Sequence, residues 1–178
     1  MTMDWGRELM LRHRRLFVMM TDEPFRSGYP LCGRGWQDIL MRLCRRIEAA
    51  LGEGEIFEFS QIRQRRGILG IKWDGEASEG TEAKIGEAAH LAVARSACTC
   101  EVCGRAGSLH NNKGWLQTRC AEDAVGGERV PPRFGVGFEN VRRLRRWRGH
   151  ADIYFARYDR ETDTLTEVPP PSRKQEGG

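Results

Sequence analysis

"ACTCEVCGRAGSLHNNKGWLQTRCAEDA", residues 97–124, contains four of the six cysteines in the chain. Cys100 and Cys103 form a Cys-x2-Cys pair, and Cys120 follows at a distance that is ordinary for a zinc ribbon or a treble-clef unit. Thiolates at this spacing suit Zn²⁺, which prefers four soft or borderline ligands in a tetrahedron. The stretch therefore predicts a structural Zn²⁺ in a knuckle at residues 98–123, with reduced, metal-free cysteines as the alternative.

The spacing leaves the fourth ligand open. Asp123 stands three residues after Cys120, where a cysteine or histidine would complete the site, and its carboxylate can bind a metal through oxygen. Cys98 offers a thiolate two residues before Cys100, and His110 lies in the intervening loop. Water is the remaining candidate, and it would give the open position of a catalytic zinc.

Hydrophobic periodicity predicts helices and one hairpin before this stretch. The clearest helix places Trp36, Leu40 and Leu43 on one apolar stripe. Residues 55–76 change to a period of two, which predicts two antiparallel strands that turn near residues 66–67. The predicted helices span residues of about 4–19, 35–52 and 81–97.

After the cysteine cluster, the segment ENVRRLRRWRG at residues 139–149 predicts a short basic helix. In that helix Val141, Leu144 and Trp147 would form the docked face. Residues 151–168 predict a hairpin around the polar turn DRETD, and the proline-rich tail is expected to be disordered.

The expected fold class is α+β, with helices packed on a small antiparallel sheet and a zinc knuckle inserted at one edge. Residues 1–125 are expected to form this α+β domain. Residues 126–168 are expected to form the C-terminal basic helix and β-hairpin, and residues 169–178 the disordered tail.

Composition predicts a folded, cytoplasmic protein. With 178 residues, 39% hydrophobic and 30% charged, the chain can bury a real core. Its apolar run LFVMM is far shorter than the roughly 18 residues of a membrane span, and the arginines around it favour an amphipathic helix over a secretory signal. In a reducing cytosol, the clustered cysteines favour metal binding over disulfides.

Arginine makes the two ends of the chain more basic than its middle, within a net charge of +4. Arginine clusters can bind phosphates or carboxylates, so they are candidate contacts with nucleic acid or a protein partner. The alternative is a solvated helix that pairs with the acidic residues 53–58. The candidate binding residues are Arg142, Arg143, Arg145, Arg146 and Arg148, with Arg63, Arg65 and Arg66 as a possible extension.

The order of these motifs resembles a family of small zinc-binding proteins encoded by phages and prophages of proteobacteria. The resemblance covers residues of about 30–125 and rests on GRGWQDILMRLCRRIE, FSQIRQRRGILGIKW, CEVCG and GWLQTRCAEDA. It assigns the ligand role to Cys100, Cys103 and Cys120, and Asp123 stands where the family has histidine. It implies a phage context, and so a place in the cytoplasm of a bacterial host.

Catalytic signals are poor, since His13, His90, His110 and His150 lie in no recognisable catalytic motif. We therefore expect a non-enzymatic binding protein with a structural zinc and no membrane partner. The first hypothesis is inhibition of a host nucleic-acid machine, either a protein or a ribonucleoprotein complex, as in an anti-CRISPR counter-defence role. The second is direct DNA or RNA binding by a regulator, and the third is a zinc-dependent hydrolase.

Overall fold

The computed structural model describes residues 4–18, 27–146 and 152–171. Within these ranges the chain forms a mixed α+β structure, and none of the helices is long and apolar enough to cross a membrane. The helices are α1 (Trp5–Arg12), α2 (Gln37–Ala50) and α3 (Glu79–Ser96). The strands are β1 (Pro30–Leu31), β2 (Ile56–Arg65), β3 (Ile68–Glu76), β4 (Ser108–Asn112), β5 (Trp115–Arg119), β6 (Glu128–Arg129), β7 (Val141–Arg145), β8 (Ile153–Asp159) and β9 (Thr164–Val168).

The first sheet has the order β1-β2-β3, with β2 and β3 antiparallel and β1 parallel to β2. The turn between β2 and β3 places Arg66 at φ 52° and Gly67 at φ 83°. Positive φ at both central residues is the geometry of a tight hairpin whose twist matches the strands. The hairpin predicted from residues 55–76 is confirmed.

The main core lies between this sheet and the three helices. The apolar residues of α2 recur at helical spacing and turn one stripe towards the sheet, where Leu40 and Leu43 are fully buried. Each such side chain contributes about 1.5–3 kcal/mol when it leaves water. Other fully buried members from the helices, β2, β3 and the connecting segments are Leu9, Met10, Leu16, Trp36, Ile39, Ile47, Phe59, Ile62, Leu69 and Ile85.

Two predicted helices, at 35–52 and 81–97, are confirmed as α2 and α3 with small changes at their ends. The predicted helix at 4–19 is too long, because α1 ends at Arg12 and a 3₁₀ turn, Arg14–Leu16, follows it. His13 separates the two, and its Nδ1 hydrogen-bonds the Glu48 carboxylate at 2.8 Å. This contact ties the end of α1 to α2.

The predicted basic helix at 139–149 is wrong. Val141–Arg145 form the strand β7, which pairs antiparallel with β8 so that Arg142 faces Ala156 and Leu144 faces Tyr154. Val141 and Leu144 are three residues apart, which is helical spacing, but pairing with β8 overrides this local signal because the partner strand supplies the ladder hydrogen bonds. Residues 147–149 lie outside the described ranges.

The hairpin predicted for residues 151–168 is confirmed as β8 and β9, so β7, β8 and β9 form a three-stranded antiparallel sheet. We call this the C-terminal sheet. It packs against α3, where Tyr158 lies with Ala94 and Cys98 in a second, smaller buried cluster. The tail predicted to be disordered lies outside the described ranges from residue 172 onward.

Candidate metal centre

Four side chains converge where the chain leaves α3 and where it leaves β5. Cys100 and Cys103 lie in the loop that follows α3, Cys120 follows β5 directly, and Asp123 lies in the next turn. The three Sγ atoms and one carboxylate oxygen all lie within 4.8 Å of one another. The four residues are therefore close enough to bind a metal ion.

The separations between these atoms fit a tetrahedral site. The Asp123 Oδ2 lies 3.2 Å from the Cys100 Sγ and 3.1 Å from the Cys120 Sγ, and the Cys103 and Cys120 sulfurs are 3.6 Å apart. A tetrahedral zinc with metal–sulfur bonds of about 2.3 Å separates two sulfurs by about 3.8 Å, and sulfur from oxygen by about 3.5 Å. The ligand set can therefore close around a metal with small movements of the side chains.

The loop between the first two ligands has the backbone of a metal knuckle. The Gly104 amide donates to the Cys100 carbonyl at 2.9 Å, and Gly104 adopts φ 78°, which glycine tolerates. The amides of Val102, Cys103 and Cys120 face the Cys100 thiol and lower its pKa, but burial outweighs them and raises that pKa to about 11. Amides directed at a sulfur stabilise it as a thiolate once a metal binds.

Arg105 supplies the positive charge beside the cluster. Its Nε lies 3.4 Å from the Cys103 Sγ and its Nη2 lies 3.7 Å from the Cys120 Sγ. The hydrogen bond from Arg105 lowers the pKa of Cys103. Arg105 also makes a two-pronged ion pair with Glu122. Three thiolates and a carboxylate around a divalent ion leave an excess negative charge, which this guanidinium offsets in part.

The metal loop is joined to the main domain through the segment before α2. The Gly35 amide donates to the Glu101 carbonyl at 2.8 Å. A β-carbon on Gly35 would lie 2.3 Å from the Cys100 carbonyl oxygen, so the close approach requires glycine. The buried Trp36 Nε1 donates to the Thr99 carbonyl at 2.8 Å. The position of the first ligand is therefore tied to the main core.

The β4–β5 hairpin packs on the turn of the first sheet. The Thr118 hydroxyl donates to the Gly67 carbonyl at 2.6 Å, and the Gln64 amide nitrogen donates to the Leu116 carbonyl at 2.7 Å. Leu109 contacts Gly67 so closely that a β-carbon there would lie 2.3 Å from a Leu109 methyl. These contacts hold the β4–β5 hairpin, which Cys120 follows directly, against the first sheet.

The structure brings together four of the predicted ligands and leaves two candidates outside. Cys98 turns towards the C-terminal sheet, is buried, and donates its thiol hydrogen to the Arg95 carbonyl at 3.4 Å. His110 lies on β4, where its Nδ1 donates to the Ser108 carbonyl at 2.9 Å. Cys98 is placed this way because residues 97–98 form a turn at the end of α3, and the chain extends only from Thr99, which bridges to Ala106.

This placement gives a direct test of the fourth ligand. Asp123→Ala is expected to weaken metal binding by at least the roughly tenfold to hundredfold loss that follows removal of even an outer-shell partner. Cys98→Ser is expected to leave binding unchanged, because its sulfur contacts carbonyl groups of α3. Metal content measured after gel filtration, with a competing chelator to rank affinity, checks both variants. If Cys98→Ser weakens metal binding and Asp123→Ala does not, Cys98 is the fourth ligand.

The predicted binding arginines are divided between different surfaces. Arg143 and Arg145 are exposed on one face of β7, and Arg142 and Arg146 point to the face that carries the buried Leu144. Arg146 pairs with Glu167 at 2.9 Å. The alternative, in which the arginines after residue 139 pair with the acidic residues 53–58, is not among the ion pairs of the described residues. Arg63, Arg65 and Arg66 are exposed on β2 and its turn. Arg148 lies outside the described ranges.

Sequence reasoning did not identify Arg105 or the buried ion pair between Arg119 and Glu101, at 3.1 Å. A basic residue two positions after the second cysteine was the visible signal for Arg105. The Arg119–Glu101 pair had no such signal, because Glu101 lies in the loop after α3 and Arg119 at the end of β5, 18 residues later. Comparison with protein-family models, with curated proteins and with solved structures finds no match.

Proposed function

We propose that this chain is a non-enzymatic binding protein in which one Zn²⁺ joins the loop after α3 to the turn after β5 and so holds the knuckle together. The observation that carries the proposal is the convergence of Cys100, Cys103, Cys120 and Asp123 at tetrahedral separations. Three thiolates favour a soft or borderline ion, and a tetrahedral set with one oxygen suits zinc.

A structural role for the metal is favoured over a catalytic one. Catalytic zinc sites keep one position for water, whereas this cluster supplies four protein ligands. Glu122 precedes Asp123 in the sequence, and its carboxylate accepts a hydrogen bond from Arg105. This contact lowers the pKa of Glu122. Its carboxylate is therefore poorly placed to serve as a general base. These features argue against the hydrolase hypothesis.

The proposed partner is a nucleic-acid machine of a bacterial host, a protein or ribonucleoprotein complex in the cytoplasm. Two observations support it: the resemblance to phage-encoded zinc proteins, and exposed arginines such as Arg63, Arg143 and Arg145 in a chain of net charge +4. The biological role we propose is counter-defence, of which CRISPR inhibition is one form.

The test has two arms in a proteobacterial host with active CRISPR immunity. Expression of the wild-type chain is expected to restore plaque formation by a targeted phage, and the tagged chain is expected to retain the CRISPR effector from lysate treated with nuclease. Cys120→Ser should lose both properties and Cys98→Ser should keep both, because only the first removes a proposed ligand. Unchanged phage restriction together with no retained effector would refute the counter-defence role.

A further inference from the structure

The C-terminal sheet has two unlike faces. Alternation along a strand places residues i and i+2 on the same side. On the side towards α3, Leu144, Ala156 and Tyr158 are all less than a tenth exposed. The opposite side, which we call the outer face, carries Arg143, Arg145, Ile153, Phe155, Arg157, Thr164, Thr166 and Val168.

The register of the strands places the outer-face arginines around an apolar patch. Arg143 lies opposite Phe155 and Arg145 lies opposite Ile153. Phe155 is in turn opposite Val168 on β9. Ile153 is 46% exposed. The outer face thus places partly exposed apolar side chains beside two guanidinium groups.

Charge on the outer face is unbalanced. Within the described ranges, Arg143 and Arg145 make no ion pair, and both are exposed. The single acidic side chain that the three strands place on this face is Asp159, and its carboxylate already accepts from the Glu161 and Thr162 amides in the β8–β9 turn. Glu167 lies on the other side of the sheet. The outer face therefore has cations available for an external anion.

A loop steadies one end of the outer face. Phe134 is buried and makes an edge-to-face contact with Phe155, with ring centres 5.4 Å apart. Arg157 donates to the Gly137 carbonyl at 2.8 Å, which holds its guanidinium against the same loop. Arg133 lies over the Phe134 ring at 5.7 Å and adds another exposed cation. Within the described residues, the opposite end of the face carries Arg145 and Ile153, which lie opposite each other.

We propose that the outer face binds the phosphodiester backbone of nucleic acid through Arg143 and Arg145. The proposal rests on the proposed binding role and names the ligand class for that role. Residues i and i+2 of a strand lie about 6.7 Å apart, a separation comparable with that of successive phosphates along a nucleic-acid strand. Arginine binds phosphate through two parallel N–H groups. Ile153 and the rim of Phe155 provide an apolar platform for unstacked bases, so we expect single strands to bind more tightly than duplex.

Fluorescence anisotropy with labelled single-stranded DNA, single-stranded RNA and duplex DNA tests the proposal at several salt concentrations. Arg143→Glu with Arg145→Glu is expected to weaken single-strand binding at least tenfold at low salt. The slope of log K against log salt should fall by about 1.4, since each lost phosphate contact contributes about 0.7 for single strands. Far-ultraviolet circular dichroism confirms that the variant keeps its fold.

The matched control is Arg7→Glu with Arg45→Glu, which changes the net charge equally. Arg7 and Arg45 are exposed on α1 and α2 and make no ion pair in the part of the chain that the structure describes. Equal losses in the two variants would show attraction by net charge alone and would overturn the proposal. No binding at low salt would also overturn it. If polyglutamate of the same total charge displaces the oligonucleotide, the outer face binds an acidic protein and not nucleic acid.

The outcomes separate this proposal from the counter-defence role. If the Arg143/Arg145 variant binds single strands at least tenfold more weakly than the wild type and the control variant does not, but the wild type fails to restore plaques, the outer-face inference stands and the counter-defence role fails. If neither the wild type nor the Arg143/Arg145 variant binds nucleic acid, but the variant still restores plaques and retains the effector, the outer-face inference fails and the counter-defence role stands.

Discussion

Removal of the metal ion is expected to lower the melting temperature of the chain by more than about 10 °C, which for a protein of this size corresponds to several kcal/mol. The cause is repulsion and loss of cross-linking among Cys100, Cys103, Cys120 and Asp123, whose ligand atoms lie within 4.8 Å of one another. In small zinc units the free energy of metal binding is folding free energy. Thermal unfolding followed by circular dichroism, before and after a strong chelator and again after added Zn²⁺, measures the effect.

Trp36 gives the same experiment a local readout. Its indole nitrogen donates to the Thr99 carbonyl at the start of the metal loop, and the side chain is fully buried. If chelation loosens the loop, a red shift of tryptophan fluorescence should accompany the thermal change. Cys120→Ser should reproduce the chelated state, and Cys98→Ser should keep the chelator response of the wild type. If the chelator leaves the melting temperature unchanged, the cluster holds no structural metal.

Much of the main domain could be predicted from the sequence because its signals are local. The apolar stripe through Leu40 and Leu43 has the helical period, and the change to a period of two at residue 56 marks the hairpin. The candidate metal ligands Cys100, Cys103 and Cys120 could be found for the same reason, since a knuckle is specified by short spacing.

The features that sequence reasoning missed depend on partners far away in the chain. The segment Val141–Arg145 is compatible with a helix or a strand, and β8 selects the strand by pairing with it. Cys98 and Asp123 both stand near the other ligands in sequence, yet the turn after α3 directs Cys98 to Tyr158. Local spacing therefore limited the ligand candidates to a few, and tertiary packing chose between them.

Asp163 joins the C-terminal sheet to the helices and is the second site where a single change should have a large effect. Its side chain is 8% exposed and its Oδ2 lies 2.7 Å from the Arg46 Nη2 and 3.5 Å from the Arg42 Nη1. Arg95 approaches its Oδ1 at 3.6 Å, and the Tyr158 hydroxyl donates to the same oxygen. One carboxylate thus neutralises cations from α2 and α3 and satisfies a buried phenol of β8.

Replacing Asp163 by asparagine removes the negative charge and one of the two acceptor oxygens that these groups share. Asp163→Asn is expected to destabilise the chain by about 1.5–3 kcal/mol, the range for hydrogen bonds to a charged group, because the Arg42 and Arg46 side chains are 38% and 34% exposed. Asparagine tolerates the positive φ of 55° at this position, so the backbone should not add to the loss. Urea unfolding at neutral pH measures the change. Glu161→Gln, an equal change of charge at an exposed residue of the same turn, is the control and should have little effect.

The pH dependence gives the same prediction an internal check. Burial raises the pKa of Asp163, but the hydrogen bond from Tyr158 and the charge of Arg46 outweigh burial and hold the pKa below its ordinary value. A lowered pKa in the folded state means that the stabilisation is complete above the unfolded value of about 3.9 and is lost as pH falls through the folded value. The wild type and Asp163→Asn should therefore differ most near neutral pH and converge in acid. A difference that stays constant down to the acid transition would show that Asp163 acts through shape and not through charge, and the link between sheet and helices would then lie in the packing of Tyr158.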